Sequence, residues 1–160
     1  MADKAGLVAE ALEQLRALLD ELTRAANTTR EGAVHEEAKP ENDKDTRALE
    51  QSYLARGQAL RVVETEAAVG RLRFMELHDF DEATPIALSA LIRVEVDEKP
   101  ARLFLVNAGG GLKVKDAEGE VQLVSLEAPL GQALIGKQVG EAFELRIAGA
   151  LREYEILEVQ

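Results

Sequence analysis

Residues 128–141 read APLGQALIGKQVGE, and this stretch predicts one short helix held between tight turns. Pro129 fits the first helical position because the missing N–H of proline would have no partner there. Gly136 suits the end of the helix, since glycine readily adopts the left-handed conformation that closes many helices. The segment therefore predicts a single helix of about two turns.

Short segments rich in β-branched residues lie on both sides of this helix, and several alternate between apolar and polar side chains. Sequences typical of turns, such as Glu98-Lys99-Pro100, separate them. The predicted strands are Ala90–Val96, Arg102–Val106, Leu112–Val114, Val121–Val124, Phe143–Ile147 and Glu153–Val159. Strands with one inserted helix indicate a small domain over residues 86–160. Residues 78–85, which are rich in carboxylates, are predicted to be its linker.

Residues 1–77 have a different period, because their apolar residues recur at alternating spacings of four and three, as in a coiled coil. The first stretch contains Val8, Leu12, Leu15, Leu19, Leu22 and Ala26. The second contains Leu49, Tyr53, Arg56, Leu60, Val63, Ala67, Gly70, Phe74 and Leu77. A polar segment with one proline joins them, so we expect an antiparallel coiled-coil hairpin and an α+β chain overall. A hairpin used for dimerisation remains an alternative.

The predicted tip of the hairpin, residues 36–45, reads EEAKPENDKD and is rich in carboxylates. Carboxylate oxygens are ligands for hard cations such as Mg²⁺. A protruding turn cannot enclose an ion, so these carboxylates could complete a metal site only with ligands from another molecule. The alternative is a solvated acidic turn in which Asp45 caps the second helix.

The composition excludes several classes of function. The net charge is −11, which argues against unaided binding to DNA or RNA. The chain has no cysteine and no tryptophan, so thiol chemistry and thiolate metal sites are excluded. Neither a signal peptide nor a membrane span is evident, and we expect a cytoplasmic protein. Gly109–Gly111 lacks the following lysine of a phosphate-binding loop, and no site for independent catalysis is found.

The stretch 128–141 resembles the signature of the GreA/GreB transcription elongation factors, a pattern of Ser/Ala-Pro, a small helix and Gly-Lys-x-x-Gly-Asp/Glu. The closing segment Arg152–Val159 is similar to the last strand of that family. Leu49–Leu54 is similar to the start of the family's second coil helix. The order of hairpin and β-rich domain is also the family's order, so the resemblance extends over essentially the whole chain.

The resemblance implies an FKBP-like carboxyl-terminal domain that docks on bacterial RNA polymerase, and a coiled coil that enters the secondary channel of the enzyme. Pro129, Gly131, Gly136 and Lys137 are the expected partner-binding residues, although these glycines also suit caps and turns. Prolyl isomerase activity is not expected, because the pocket of FKBP isomerases is lined by several aromatic residues including tryptophan.

At the tip, the resemblance implies that acidic residues help to hold a Mg²⁺ shared with the polymerase active site and so promote cleavage of backtracked transcripts. Cleaving members have Gly-Asp-Leu-x-Glu-Asn there, whereas this chain reads EAKPEN over residues 37–42. Glu37 and Glu41 are the expected metal ligands, and Asp43 takes another acidic position. We expect a monomeric accessory factor without a cofactor of its own, which meets nascent RNA only indirectly. A secondary-channel regulator that inhibits without cleavage is the alternative.

Overall fold

The first part of the chain forms two long helices, α1 (Lys4–Glu37) and α2 (Asp45–Arg73). The computed structural model describes residues 2–37 and 45–160. Asp3 caps α1, because its Oδ1 accepts a hydrogen bond from the Gly6 N–H at 2.9 Å and so satisfies an amide that the helix start leaves free. The beginning of α1 and the end of α2 belong to one unit, and a short segment joins their other ends. The two helices therefore form the predicted hairpin.

The second part of the chain forms a six-stranded mixed sheet with one short helix, which confirms the predicted α+β class. The elements are β1 (Leu91–Val96), β2 (Lys99–Val106), β3 (Lys113–Asp116), β4 (Gly119–Ser125), α3 (Pro129–Leu134), β5 (Ala142–Ile147) and β6 (Ala150–Val159). The strand order is β3-β4-β2-β1-β6-β5. Only the β2–β4 pair is parallel, and the other pairs are antiparallel. All six predicted strands are present.

Two-residue turns set the register of two strand pairs. Asp97 and Glu98 join β1 to β2, and Ala148 and Gly149 join β5 to β6; all four residues have positive φ. Two consecutive positive φ values are the mark of the tight hairpin turn whose twist matches that of the flanking strands. The Asp97 carboxylate also accepts the Glu153 N–H at 2.9 Å, which ties the first turn to β6.

One apolar cluster of this domain lies on the face of the sheet that includes Leu134 of α3. Alternate residues of β1 and β6 point into it, because successive side chains of a strand face opposite sides. Its buried members are Ile86, Ala90, Ile92, Val94, Leu103, Leu105, Val124, Leu134, Tyr154, Ile156 and Val159.

The chain divides into two units: residues up to 13 together with 71–160, and residues 14–70. The ends of both helices thus belong with the sheet, where the sequence analysis placed them with the coiled coil. Lys115 N–H donates to Glu10 Oε2 at 3.0 Å, and Asn107 Nδ2 donates to the Arg71 carbonyl at 3.2 Å. Leu7 and Leu72 are fully buried, so the sheet unit also has an apolar contribution from both helices.

Lys4 is buried in this unit and carries a testable pH dependence. Its Nζ donates to the His78 carbonyl at 2.6 Å and lies 4.8 Å from the centroid of the Phe80 ring. Burial lowers the pKa of Lys4 from 10.5 to about 8, against the opposing effect of Asp79. The folded state therefore loses this proton before the unfolded state does, and stability rises with pH between these two values.

We expect the free energy of unfolding to increase by about 2 kcal/mol between roughly pH 7.5 and 9.5. Urea unfolding across this range measures the increase. In Lys4→Met the aliphatic stem remains but the proton is gone, so the pH profile should be flat there. A profile in Lys4→Met that matches the parent would contradict the assignment.

The predicted seam is confirmed on α1 and wrong on α2. On α1, Leu12 and Leu15 are buried and Leu19 and Leu22 are half-buried. On α2, the predicted seam residues are exposed: Leu49 by 55%, Tyr53 by 60%, Leu60 by 58%, Val63 by 59% and Phe74 by 77%. Among the predicted α2 seam residues, Gly70 is half-buried. The other half-buried positions among residues 46–73 are Ala48, Gln51, Ser52, Ala55, Gln58, Val62, Thr65, Ala68 and Val69.

The physical reason is that two stripes one residue apart on α2 share the same heptad spacing. Spacing alone does not determine which of the two stripes is buried. Both repeat at the same interval, and they differ only by a rotation of about 100° around the helix axis. Leu72 and Met75 are buried in the sheet unit, and this fixes the rotation of the end of α2.

Candidate functional site

The site predicted around residues 128–141 is built on α3 and the two turns that follow it. Ala128 precedes the helix with φ −68° and ψ 151°, and Pro129 occupies the first helical turn as predicted. Extended backbone before a proline is the conformation that proline imposes. Pro129 is exposed, so its ring is available at the surface beside the helix start.

Gly131 is a packing residue. It is buried, and a Cβ built on it would lie 2.0 Å from the Ser125 carbonyl oxygen and 3.0 Å from the Ser125 carbonyl carbon. Only a residue without a side chain allows α3 to lie this close to the end of β4. The structure therefore gives Gly131 a structural role, and that role is close packing rather than the cap or turn that the sequence analysis named as its alternative.

Gly136 and Lys137 tie the end of α3 to the chain before β1. Gly136 has φ +83°, which glycine adopts without steric cost, and its N–H donates to the Ile86 carbonyl at 2.8 Å. The Ile86 N–H in turn donates to the Lys137 carbonyl at 2.8 Å. This reciprocal pair holds the turn rigidly, so the Lys137 side chain starts from a fixed backbone.

The Lys137 side chain lies over the Phe143 ring, which stacks on a second aromatic ring. Its Nζ is 5.3 Å from the centroid of Phe143, and the Phe143 ring stacks on Tyr154 with centroids 5.1 Å apart and planes 4° apart. Burial raises the pKa of Tyr154. An ammonium over an aromatic face is held in place by the negative charge of the ring face, so Lys137 presents an ordered cation at this surface.

A groove with a volume of about 540 Å³ opens beside Pro129. Its walls come from the end of β4, the start of α3 and the end of β5. The lining residues that matter for recognition are Leu123, Ser125, Pro129, Leu130, Arg146 and Ile147. The sequence analysis missed Arg146, because a single arginine in an alternating strand gives no sign of which residues lie across from it.

Ile135 is an exposed apolar residue in the same segment. It is 44% exposed, although it lies between the fully buried Leu134 and the turn at Gly136. Ile135 and Lys137 thus present an apolar and a charged side chain from the same short segment. The apolar pair Leu134-Ile135 could have indicated this exposure from the sequence. A short helix buries only one face, so two consecutive apolar residues at its end cannot both be buried by it.

The predicted tip site is only partly within the described residues. Glu37 is the last residue of α1, and Glu41 and Asp43 lie outside the described residues. Within residues 2–37 and 45–160, no group of three or more His, Asp or Glu side chains could hold a metal ion. In that same part of the chain, no helix has both the length and the apolar character needed to cross a membrane.

Comparison with known proteins identifies the carboxyl-terminal part. Residues 112–160 match the family described as "Transcription elongation factor, GreA/GreB, C-term". The transcription elongation factor GreA of Mesorhizobium japonicum is 28% identical over 102 residues, which are 62% of this chain and 60% of that protein. GreA of Clostridium botulinum is 34% identical over 80 residues, which are 40% of this chain and 50% of that protein. The chain thus spans about half to three fifths of the length of these relatives.

Solved structures give similar matches. GreA factor homolog 1 (Gfh1) of Thermus thermophilus is 17% identical and matches with a TM-score of 0.39 over 93% of this chain and 94% of that chain. A GreA/GreB factor from Nitrosomonas europaea is 24% identical, with a TM-score of 0.37 over 59% of this chain and 77% of that chain. The match over residues 112–160 includes α3 and both turns of the site. The chain is thus similar to GreA/GreB factors, and the family match itself extends over residues 112–160.

Proposed function

We propose that this protein is an accessory factor that binds bacterial RNA polymerase in the cytoplasm and modulates transcript elongation. The match of residues 112–160 to the GreA/GreB carboxyl-terminal family carries the proposal. The arrangement of the chain supports it, because a helical hairpin precedes the matched domain.

In this proposal the carboxyl-terminal domain docks on the polymerase through the surface around α3. Ile135 would supply an apolar contact and Lys137 an ordered charge, and Pro129 would contact the partner at the edge of the groove. Interfaces commonly depend on a few anchors of this kind. The hairpin would enter the secondary channel, where Glu37 and Glu41 would share a Mg²⁺ with the polymerase active site and Asp43 would add a further acidic side chain. Completing a two-metal site in this way favours cleavage of a backtracked transcript.

Docking is tested with Ile135→Glu in a binding assay against purified RNA polymerase. We expect affinity to fall about tenfold or more, while folding is kept because the side chain is exposed. Leu157→Glu is the matched control, since Leu157 is 38% exposed on β6 and follows the core residue Ile156, so that it faces away from the core. Equal binding by both variants would remove Ile135 from the interface, and no binding by the parent chain would contradict the proposed function.

Cleavage is tested on stalled, backtracked polymerase complexes. The parent chain should shorten the RNA, and Glu37→Ala/Glu41→Ala should slow this by about 100-fold, since misplaced ligands are costly in a metal-assisted step. Glu64→Ala/Glu66→Ala is the control, because it removes the same charge from exposed positions on α2. If the parent chain slows elongation without shortening the RNA, the protein is a non-cleaving inhibitor and not a cleavage factor.

The exposed apolar residues of α2 favour a second candidate, a dimerisation module that pairs through this helix. Leu49, Tyr53, Leu60 and Val63 lie at heptad spacing on one exposed face, as in a coiled-coil seam. Sedimentation equilibrium distinguishes the candidates. A monomer at micromolar concentration contradicts the dimerisation module, and a dimer that dissociates in Leu60→Gln supports it.

A further inference from the structure

Two stripes on α2 compete for the same position against α1. The inner stripe consists of Ala48, Gln51, Ala55, Gln58, Val62, Thr65 and Val69, all half-buried. The outer stripe consists of Leu49, Tyr53, Arg56, Leu60, Val63 and Ala67, all exposed. Each stripe keeps the alternating spacing of three and four that coiled-coil packing requires. The stripe with the larger apolar side chains is the one that faces water.

The inner stripe is also imperfectly satisfied. Gln51 Oε1 and Gln58 Oε1 are inaccessible to solvent and have no hydrogen-bond partner among the described residues. A buried acceptor without a partner is costly, because it has lost its hydrogen bond to water and gained none. The observed rotation of α2 therefore leaves two penalties in place, the buried amide oxygens and the exposed outer stripe.

Other contacts favour the observed rotation. Leu72 and Met75 anchor the end of α2 in the sheet unit. The Arg56 guanidinium lies 5.8 Å from the centroid of the Tyr53 ring, and both residues are exposed in the observed rotation. With the outer stripe against α1, the Arg56 side chain would have to extend along the helix to keep its charge in water.

We propose that α2 has two rotational states, and that a turn of about 100° over residues 46–67 exchanges the inner stripe for the outer stripe against α1. The α1 seam, Leu15, Leu19 and Leu22, serves both states, since apolar side chains accept any apolar partner of suitable size. The twist is absorbed between Ala67 and Leu72. That segment contains Gly70, where the helix is intrinsically weak and where an added Cβ would contact nothing within 4 Å.

The two states present different surfaces. In the observed state the hairpin offers the apolar outer stripe, and in the other state it offers alanines and the two glutamine side chains. A partner that contacts the outer stripe would hold the observed state, since a ligand shifts an equilibrium toward the state it binds more tightly. This rotation involves only the hairpin and does not depend on what the protein binds.

The test uses the absence of cysteine from the chain, which allows a single reporter thiol. Val62→Cys reports on the inner stripe and Val63→Cys on the outer stripe; the two substitutions are chemically identical at neighbouring positions. Each is combined with Ala55→Glu, which places a charge in the inner stripe. The full-length protein is labelled with a maleimide under native conditions, and the rates are measured at two protein concentrations.

Two rotational states predict a reciprocal result. Ala55→Glu should raise the labelling rate of Cys at position 62 about tenfold and lower that at position 63 about tenfold, at unchanged helical circular dichroism. A faster rate at 62 with no protection at 63 means that the helices separate, and this overturns the proposal. Protection at 63 that increases with protein concentration means dimerisation, and this overturns it as well.

A second pair of substitutions tests the two rotational states without placing a charge in the seam. Gln51→Leu/Gln58→Leu removes both buried amide oxygens and should hold the observed state. We expect labelling at position 62 to become slower and labelling at position 63 to become faster than in the otherwise unchanged chain. If neither rate changes, the chain already has a single rotational state and the proposal fails.

Discussion

Replacing Gly131 with alanine is expected to lower the free energy of unfolding of the sheet unit by about 3 kcal/mol or more. The added methyl group would lie 2.0 Å from the Ser125 carbonyl oxygen, far inside the contact distance of the two atoms. Neither side can yield cheaply, because the opposing atom belongs to the backbone at the end of β4. Either α3 moves away from the sheet or β4 is distorted.

The measurement is urea unfolding followed by tyrosine fluorescence in a Tyr53→Phe background. The chain has two tyrosines, so the remaining signal comes from Tyr154 in the core of the sheet unit. Gly57→Ala is the control, since Gly57 lies in α2 and an added Cβ would contact nothing within 4 Å. The control should be neutral or stabilising by up to about 1 kcal/mol. An unchanged midpoint for Gly131→Ala would mean that α3 is not held where the structure places it.

Asp116→Asn is expected to cost about 3 kcal/mol, the second large effect. Arg102 donates two hydrogen bonds to the Asp116 carboxylate, at 2.6 and 2.7 Å, and only 13% and 16% of the two side chains are exposed. Removing the negative charge leaves the Arg102 guanidinium largely buried, with Glu118 at 3.3 Å as a more exposed partner. Urea unfolding at neutral pH measures the loss.

An exposed pair with similar atoms is the control. Lys113 and Glu120 lie 3.3 Å apart, but 62% and 53% of their side chains are exposed. Glu120→Gln should therefore change stability by less than about 0.5 kcal/mol. If the two substitutions cost the same, burial of the Arg102–Asp116 pair does not have the effect that we assign to it.

The same pair predicts how the protein responds to acid. The hydrogen bonds from Arg102 lower the pKa of Asp116 from 3.8 to about 2. A lowered carboxyl pKa stabilises the folded state at pH values above the unfolded pKa. That contribution, about 2 kcal/mol, is lost as the pH falls from roughly 4 to 2. In Asp116→Asn this part of the acid dependence should be absent.

The strands could be predicted from sequence because their signals are local. Alternation of apolar and polar residues in β1 and β6 follows from the two-residue repeat of a strand, and turn residues mark the ends. The order β3-β4-β2-β1-β6-β5 could not be predicted, because pairing depends on contacts between residues far apart in the chain. Arg146 could not be predicted as a groove residue for the same reason, because it reaches the groove only when the end of β5 lies near α3.

The candidate site was predicted in part for a related reason. Pro129 and Gly136 have local roles, at the start of a helix and at a positive φ, and such roles are visible in a single sequence. The role of Gly131 depends on Ser125 across the packing interface, and that of Lys137 depends on Phe143. Neither contact can be predicted from the spacing of the residues.

The sequence by itself determined the class of the chain: a heptad-patterned hairpin, a β-rich domain with one helix, and the motif at 128–141 that matches GreA/GreB factors. Only the tertiary structure decided which face of α2 lies against α1. The heptad spacing of Leu49, Tyr53, Leu60 and Val63 predicts a seam, yet these residues are exposed. Periodicity fixes the interval between inward residues, but the rotation of a helix is set by what holds its end, here the burial of Leu72 and Met75 in the sheet unit.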